Sequence, residues 1–448
     1  MRFFVTTGNH DPALPLGLVK KNTHFLAADG SRVTREDSCA GYVSQMECYA
    51  DFGFFPRKDD CYWESPFTSY TYDKYAYEDA CRESVLGKRT YTLCDSLTAT
   101  DASYLVEPVD GLWLLAIDGG VYLPKEMKDG KWTYQGSSAG YNLVLKHKPF
   151  LLPWVRKVVE EARKRHKTLV AFSHYPLVDF NDGVSESVRR MWGDRCFDLH
   201  RVPEAEVSEA FLQVGLRLHF AGHMHVNDTG IWEGKDGKHL YNIQVPSIAT
   251  YVPAYKILTI ESDEVFRVET VMLDTVPGFD SLFPLYRAEY QSDSLRGHSP
   301  VWNKEILSAR TYGEFCDYQF RDLVRLRFIP RDLPESWQAC LDFTGARMLK
   351  AVSGEDKSDD ADWTDWCMKD LVLDLYRLRY AERLALKDIP ETRLAAYRYL
   401  FDRARISPLR SAEVEIVNGL GTLFLAFLNG EPCQNFVIDL EKDAITGD

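Results

Sequence analysis

The stretch Leu216-Arg217-Leu218-His219-Phe220-Ala221-Gly222-His223-Met224-His225-Val226-Asn227 decides how this chain of 448 residues is read. Its first half, the apolar run 216–220, reads as a strand. Two histidines then follow at i and i+2. They leave the strand in one general direction only if the backbone turns between them, a freedom assigned here to Gly222. A strand end of the form Gly-His-x-His can aim two imidazoles at two neighbouring points, as a two-metal site requires. Taken alone, the tetrapeptide reads equally well as two exposed loop histidines. Two further fragments bear on the choice. Gly8-Asn9-His10-Asp11 follows the apolar run 3–5, and Ser173-His174-Tyr175-Pro176 follows the run 169–172. Three candidate strands thus each end in a polar cluster containing histidine. In an α/β sheet the carboxyl ends of the strands line a common crevice, so these clusters are expected to converge.

In that order the three clusters resemble the motifs of the calcineurin-like metallophosphoesterase superfamily. The resemblance implies an α/β fold, a two-sheet sandwich over residues 1–275, lacking its first strands, with a mostly helical domain of unknown role over 276–448. It implies hydrolysis of phosphomonoesters or phosphodiesters at a dinuclear site of divalent transition metals, Fe, Zn or Mn. Residue by residue, Asn9, His174 and His223 would bind one metal and His225 the other. His10 would sit beside the leaving-group oxygen as proton donor or phosphate contact, with Asp11 orienting its ring. The family also has two earlier motifs, Asp-x-His and Gly-Asp-x-x-Asp, and Met1 stands too close to Asn9 to leave room for them. The expectation is therefore an N-terminally incomplete sequence whose full-length form is the enzyme. The chain as given should bind at most one metal, weakly, and be inactive or impaired. The alternative is a degenerate scaffold of the same fold that binds partners without catalysis. The segment 193–200, with Asp194, Asp198 and His200, superficially contains both missing patterns but follows no apolar strand and reads as surface helix or loop.

Lys and Arg number 53 against 67 Asp and Glu, a net charge of −14. That argues against nonspecific binding to nucleic acid or anionic membranes, and no basic stripe with interleaved aromatics suggests a nucleic-acid partner. A small or medium phosphorylated substrate is the expected partner. No apolar run approaches the length of a membrane span, and no charged-then-apolar leader precedes the first strand. Compartment and oligomeric state stay open. Of ten cysteines, five fall in one stretch, Cys39, Cys48, Cys61, Cys81 and Cys94. None is spaced C-x-x-C, which leaves buried free thiols or a disulfide-bearing insert.

Working outward, 2–6 reads as a buried strand. Residues 30–100, rich in Tyr and Cys, read as an insertion, either a lid over the metal site or a packed decoration remote from it. The runs 104–106 and 112–117 flank Asp110-Gly111 as a hairpin. Helices are expected over 153–167 and 202–215, around the strand 168–172. After the histidine motif, 230–232, 239–245, 256–260 and 265–272 read as an antiparallel meander. His219 reads as a hydrogen-bonded core histidine. Further on, 312–328, 337–352 and 363–386 are expected as helices, and 414–416, 423–428 and 436–440 as closing strands.

Overall fold

A computed structural model describes residues 2–9, 21–26, 31–36, 42–94, 97–128, 131–134, 140–295, 297 and 302–447. At its centre lies a seven-stranded sheet. The strands are β1 (Tyr62–Glu64), β2 (Tyr104–Val109), β3 (Leu112–Ala116), β4 (Thr168–Phe172), β5 (Leu218–Ala221), β6 (Asp228–Glu233) and β7 (His239–Gln244). Their spatial order is β6-β7-β5-β4-β3-β2-β1. The inner four, β7, β5, β4 and β3, run parallel, and β6, β2 and β1 close the two sides antiparallel. Gly111 at φ 92° makes the turn expected between β2 and β3.

Each face of this sheet is covered. On one side lie α1 (Leu151–Lys164) and α2 (Ala205–Gln213). The expected helical spacing buries Val155, Val158 and Val159 of α1 and Phe211 of α2 in a core with Leu115 and Ala171. On the other side lies an antiparallel sheet of β8 (Ala254–Ile260), β9 (Val265–Met272), β10 (Asn435–Asp439) and β11 (Ala444–Gly447). Val170, Leu218, Tyr241 and Ile243 meet Phe266, Val268, Phe436 and Ile438 between the sheets. The fold is a two-sheet α/β sandwich joined to a mostly helical region.

Several expectations need correction. The strands after the histidine motif do not form one meander. β7 pairs parallel with β5, so β6 and β7 extend the large sheet, and only β8 and β9 enter the second. Residues 2–8 form no strand. They run extended along the structure, Val5 donating its N–H to the Phe52 carbonyl and accepting from the Tyr104 hydroxyl. The stretch 62–64 is an edge strand of the main sheet, not an inserted lid. The Tyr62, Tyr70, Tyr72 and Tyr75 rings gather near Trp113, at the start of β3, whereas the histidine clusters lie beyond the opposite ends of the parallel strands. The 337–352 helix is confined to Gly345–Ser353 after a short turn at Glu335–Gln338.

The region expected as strands over 414–428 is one helix. In chain order the helical region contains α3 (Tyr312–Leu323), α4 (Gly345–Ser353), α5 (Met368–Ala381), α6 (Glu391–Arg405) and α7 (Ala412–Leu428). The Ser411 side chain caps α7 by accepting from the Val414 N–H. α7 buries most of its apolar residues in the bundle but keeps Leu425 on its exposed side, and so apolar a run carries little period that separates helix from strand. One hydrophobic cluster runs without a break from Met224 and Val226, inside the histidine motif, through Tyr251 and Val252 to Tyr376, Tyr380, Phe424 and Phe427. The helical region is thereby packed directly onto the loop that carries the motif. The nine described cysteines are unpaired, as one of the two readings had it, but Cys48 and Cys61 are exposed rather than buried. Cys39 lies outside the described residues. Among the described residues no helix is long and apolar enough to cross a membrane.

Candidate metal centre

Two of the three clusters leave adjacent parallel strands, β4 and β5, at the same end of the sheet. Backbone hydrogen bonds fix their loops to one another. The His174 carbonyl accepts from the N–H groups of both Gly222 (3.1 Å) and His223 (2.7 Å). The third cluster arrives on the extended segment 2–9. Thr7 reaches the Asp118 carboxylate just past the end of β3, and Gly8 lies against the His174 ring. A Cβ at Gly8 would sit 3.0 Å from His174 Cε1 and Nδ1. The bare backbone of Gly8 is what lets the next residue come this close.

The outcome is a meeting of three donor atoms. His174 Nε2 lies 2.8 Å from Asn9 Oδ1 and 2.9 Å from His223 Nδ1. The two imidazole rings are 4.7 Å apart, centre to centre. Tyr175, buried, stands edge-on to His174 at 4.9 Å and tilted against His223 at 4.8 Å, so one ring fixes both. Beneath them His219 is buried between Ser173 Oγ (3.0 Å) and Asn242 Oδ1 (2.8 Å), the hydrogen-bonded core position expected of it. Burial pulls its pKa down to about 4.

The donors fit a borderline divalent transition metal, two imidazole nitrogens and a carboxamide oxygen facing one point. Tetrahedral ligands about 2.05 Å from an ion stand ~3.3 Å apart. Loading this centre therefore asks Asn9 Oδ1 and His223 Nδ1 each to draw back from His174 Nε2 by about 0.5 Å. All three are neutral, so none offsets the charge of an ion.

His225 is separate. It is half-buried and its backbone is left-handed, φ 57°. Its ring nitrogens do not close with those of both His174 and His223 within 4.8 Å. The chain turns over His223 and Met224, closed by the His225 N–H donating to the Gly222 carbonyl. The left-handed residue is His225, not Gly222, which has no positive φ and open space where a Cβ would go. His10 and Asp11 lie outside the described residues. The 193–200 segment does not reach the centre. Asp194 pairs with Arg189 at the surface, and Asp198 is buried opposite Arg331.

Two features were not anticipated from the sequence. Gly8 and Tyr175 shape the centre, and only their place beside the motif histidines signals it. A second cluster, Asp182, Asp228 and Glu382, also gathers metal-ligating side chains. Its members are scattered over 200 residues of sequence with no motif to join them.

No family model matches the chain, and no curated protein matches it. Among solved structures, a dimetal phosphatase from Danio rerio is similar over 38% of this chain and 57% of its own, with 13% sequence identity and a TM-score of 0.23. The chain thus spans little more than half the length of that structure, and so low a score leaves the functional reading to the site itself.

Proposed function

We propose that the chain carries a metal-dependent phosphoester-hydrolysing centre of the metallophosphoesterase type, acting on a small or medium phosphorylated substrate. In this reading Asn9, His174 and His223 hold one ion, and His225 belongs to a neighbouring one. The reading is carried by the meeting of Asn9 Oδ1, His174 Nε2 and His223 Nδ1 from three separate segments. A packed fold has no physical need to bring two imidazoles and a carboxamide to one point. When bound, divalent ions would polarise phosphate oxygens and furnish hydroxide near neutral pH. The residues of this chain have simpler tasks. His174 and His223 present Nε2 and Nδ1 to the site, with Tyr175 packed against both rings. His10 follows Asn9 directly and would give a proton to the departing oxygen, with Asp11 holding its ring. The helical region, continuous in core with Met224 and Val226, braces the loop from behind.

One observation favours a second reading. The converged donors are all neutral and His174 already touches His223 directly, so the site can close on itself without an ion. That suits a scaffold of the same fold that no longer catalyses. Titration of the purified chain with Mn2+ or Zn2+, followed by p-nitrophenyl phosphate and bis-p-nitrophenyl phosphate hydrolysis, separates the two. The first reading expects weak binding of one ion, lost in His174→Ala and His223→Ala, with any hydrolysis lost alongside. Hydrolysis that survives both substitutions would remove the proposed centre. Metal binding with no turnover would leave the scaffold.

A further inference from the structure

The second cluster joins three segments of the chain. Asp228 opens β6 three residues after His225, Asp182 lies in the loop following β4, and Glu382 follows the last residue of α5. One carboxylate oxygen from each falls within 4.8 Å of the other two. Burial pushes all three carboxyls up. Asp228, Asp179 and Glu431 add repulsion at Asp182, and Asp228 and Asp182 add it at Glu382. Asp179 adds it at Asp228, where a hydrogen bond with Glu382 works the other way.

Three like charges so close in a buried site require a counter-charge or protons. Lys256 faces Asp228, and Arg383 lines the cleft beside Glu382, but Lys256 does not serve as the counter-charge. Lys256 Nζ spends its donors on Asn227 Oδ1 (2.7 Å), Thr270 Oγ1 (2.9 Å) and the Cys433 carbonyl (2.7 Å). Asp228 Oδ2 and Glu382 Oε1 are buried and accept from no neighbouring donor, so only a proton shared between the two carboxyls would join them. A separate observation points the same way. Gln244 is directly opposite Asp228 in the β6–β7 ladder, so their side chains share one face of the sheet. Gln244 is 0 % exposed, yet neither its amide oxygen nor its amide nitrogen has a partner. A buried amide with no partner, beside carboxyls that only a shared proton could join, is costly unless something binds there. A cleft of about 340 Å³ lined by Glu382, Arg383, Gly430, Glu431 and Cys433 opens beside the cluster and offers an entry path and room for water.

From this geometry we infer that Asp182, Asp228 and Glu382, with the Gln244 carbonyl beside them, form a binding site for a hard divalent cation, Ca2+ fitting it best. An all-oxygen donor set with several carboxylates is the preference of Ca2+ rather than of Zn or Fe. The ion would tie the β4 loop, the strand leaving the histidine motif and the end of α5 at one point. Asn227 already contacts the same end of α5, donating its N–H to the Tyr380 carbonyl at 2.8 Å. The site would thus be a structural clamp between sandwich and helices, and it does not depend on the phosphoester reading of the histidine centre.

The test is Ca2+ titration of the purified full chain by calorimetry and thermal unfolding, with Tb3+ luminescence as an independent probe. One saturable site is expected, raising Tm by about 3–5 °C at a hundredfold excess over Kd. Binding should tighten from pH 5 to pH 8 as the carboxyls release protons, since Asp179 and Glu431 nearby add negative charge while Lys256 is held by its own partners. Glu382→Gln and Asp228→Asn should abolish the shift, and His174→Ala should keep it, which separates this site from the histidine centre. Absence of saturable Ca2+ binding by the wild-type chain at pH 8 overturns the inference, whether or not the variants fold. So does a Glu382→Gln chain that is more stable than wild type in 10 mM Ca2+, because the cluster would then be held by shared protons.

Discussion

Replacing Lys148 with methionine should destabilise the sandwich severely, and the structure gives the size of the effect. Lys148 is buried, and its ammonium donates to Asp101 Oδ2 and to the Asp118 carbonyl, both at 2.8 Å. It also pairs with Asp118 Oδ2 at 2.8 Å. Both carboxylates are themselves buried. Asp118 Oδ1 accepts from the Gly120 N–H and meets Thr7, two residues before Asn9. Methionine matches the length of the lysine stem but leaves two buried carboxylates without their cation. Arg89 cannot replace it, because its guanidinium is committed to the Phe54 and Ser103 carbonyls. Breaking a buried pair from one side costs about 3–5 kcal/mol, a large fraction of the ~5–15 kcal/mol that holds a typical domain. Urea unfolding followed by circular dichroism should show that loss. Adding Asp101→Asn and Asp118→Asn should recover most of it, since no charge is then stranded. Burial pulls the Lys148 pKa down, but Asp101 and Asp118 more than reverse this and hold it above the usual lysine value. A folded pKa raised above the unfolded ~10.4 contributes fully below that pH and is lost only as pH rises through the folded value. The deficit of Lys148→Met should therefore be flat between about pH 6 and 9. A loss under ~1 kcal/mol, or one no smaller after both aspartates are neutralised, would refute the reasoning.

Two further expectations concern the histidine end of the sheet. His219 has its pKa depressed to about 4 by burial, so the unfolded chain takes up a proton near pH 6.5 while the folded chain does not. Stability is full above that pH and should fall by about 3 kcal/mol on acidification to pH 4, a slope that His219→Gln should lack when both proteins are unfolded across that range. Gly8→Val should push the His174 ring away from Asn9 and weaken Zn2+ or Mn2+ binding by about 10–100-fold, read by calorimetry, while thermal stability changes little.

How much of this was legible beforehand follows from the range of each interaction. Periodicity acts within a few residues, so α1, β4, β5 and the turn at Gly111 are legible directly, and the chemically distinctive residues Asn9, His174 and His223 stand out in the sequence alone. Where local signals are silent, the reading failed. α7 reads as strand because its solvent-facing side carries Ala412 and Leu425 as well as Glu415 and Thr422, which blurs the polar face that would mark a helix. The left-handed residue in the histidine turn is His225, although glycine is the residue best suited to that conformation, because the surrounding packing and hydrogen bonds outweigh the intrinsic backbone preference of the turn. The pairing of β7 with β5, the return of β10 to the second sheet and the seating of the helices on Met224 and Val226 are contacts between distant segments. Burial and strand pairing chose them, and no neighbour in sequence records that choice. The gathering of Asp182, Asp228 and Glu382 is the clearest case, since three ordinary acidic residues become a site only when the chain has folded them against one another and shut out the water that would have kept their charges apart.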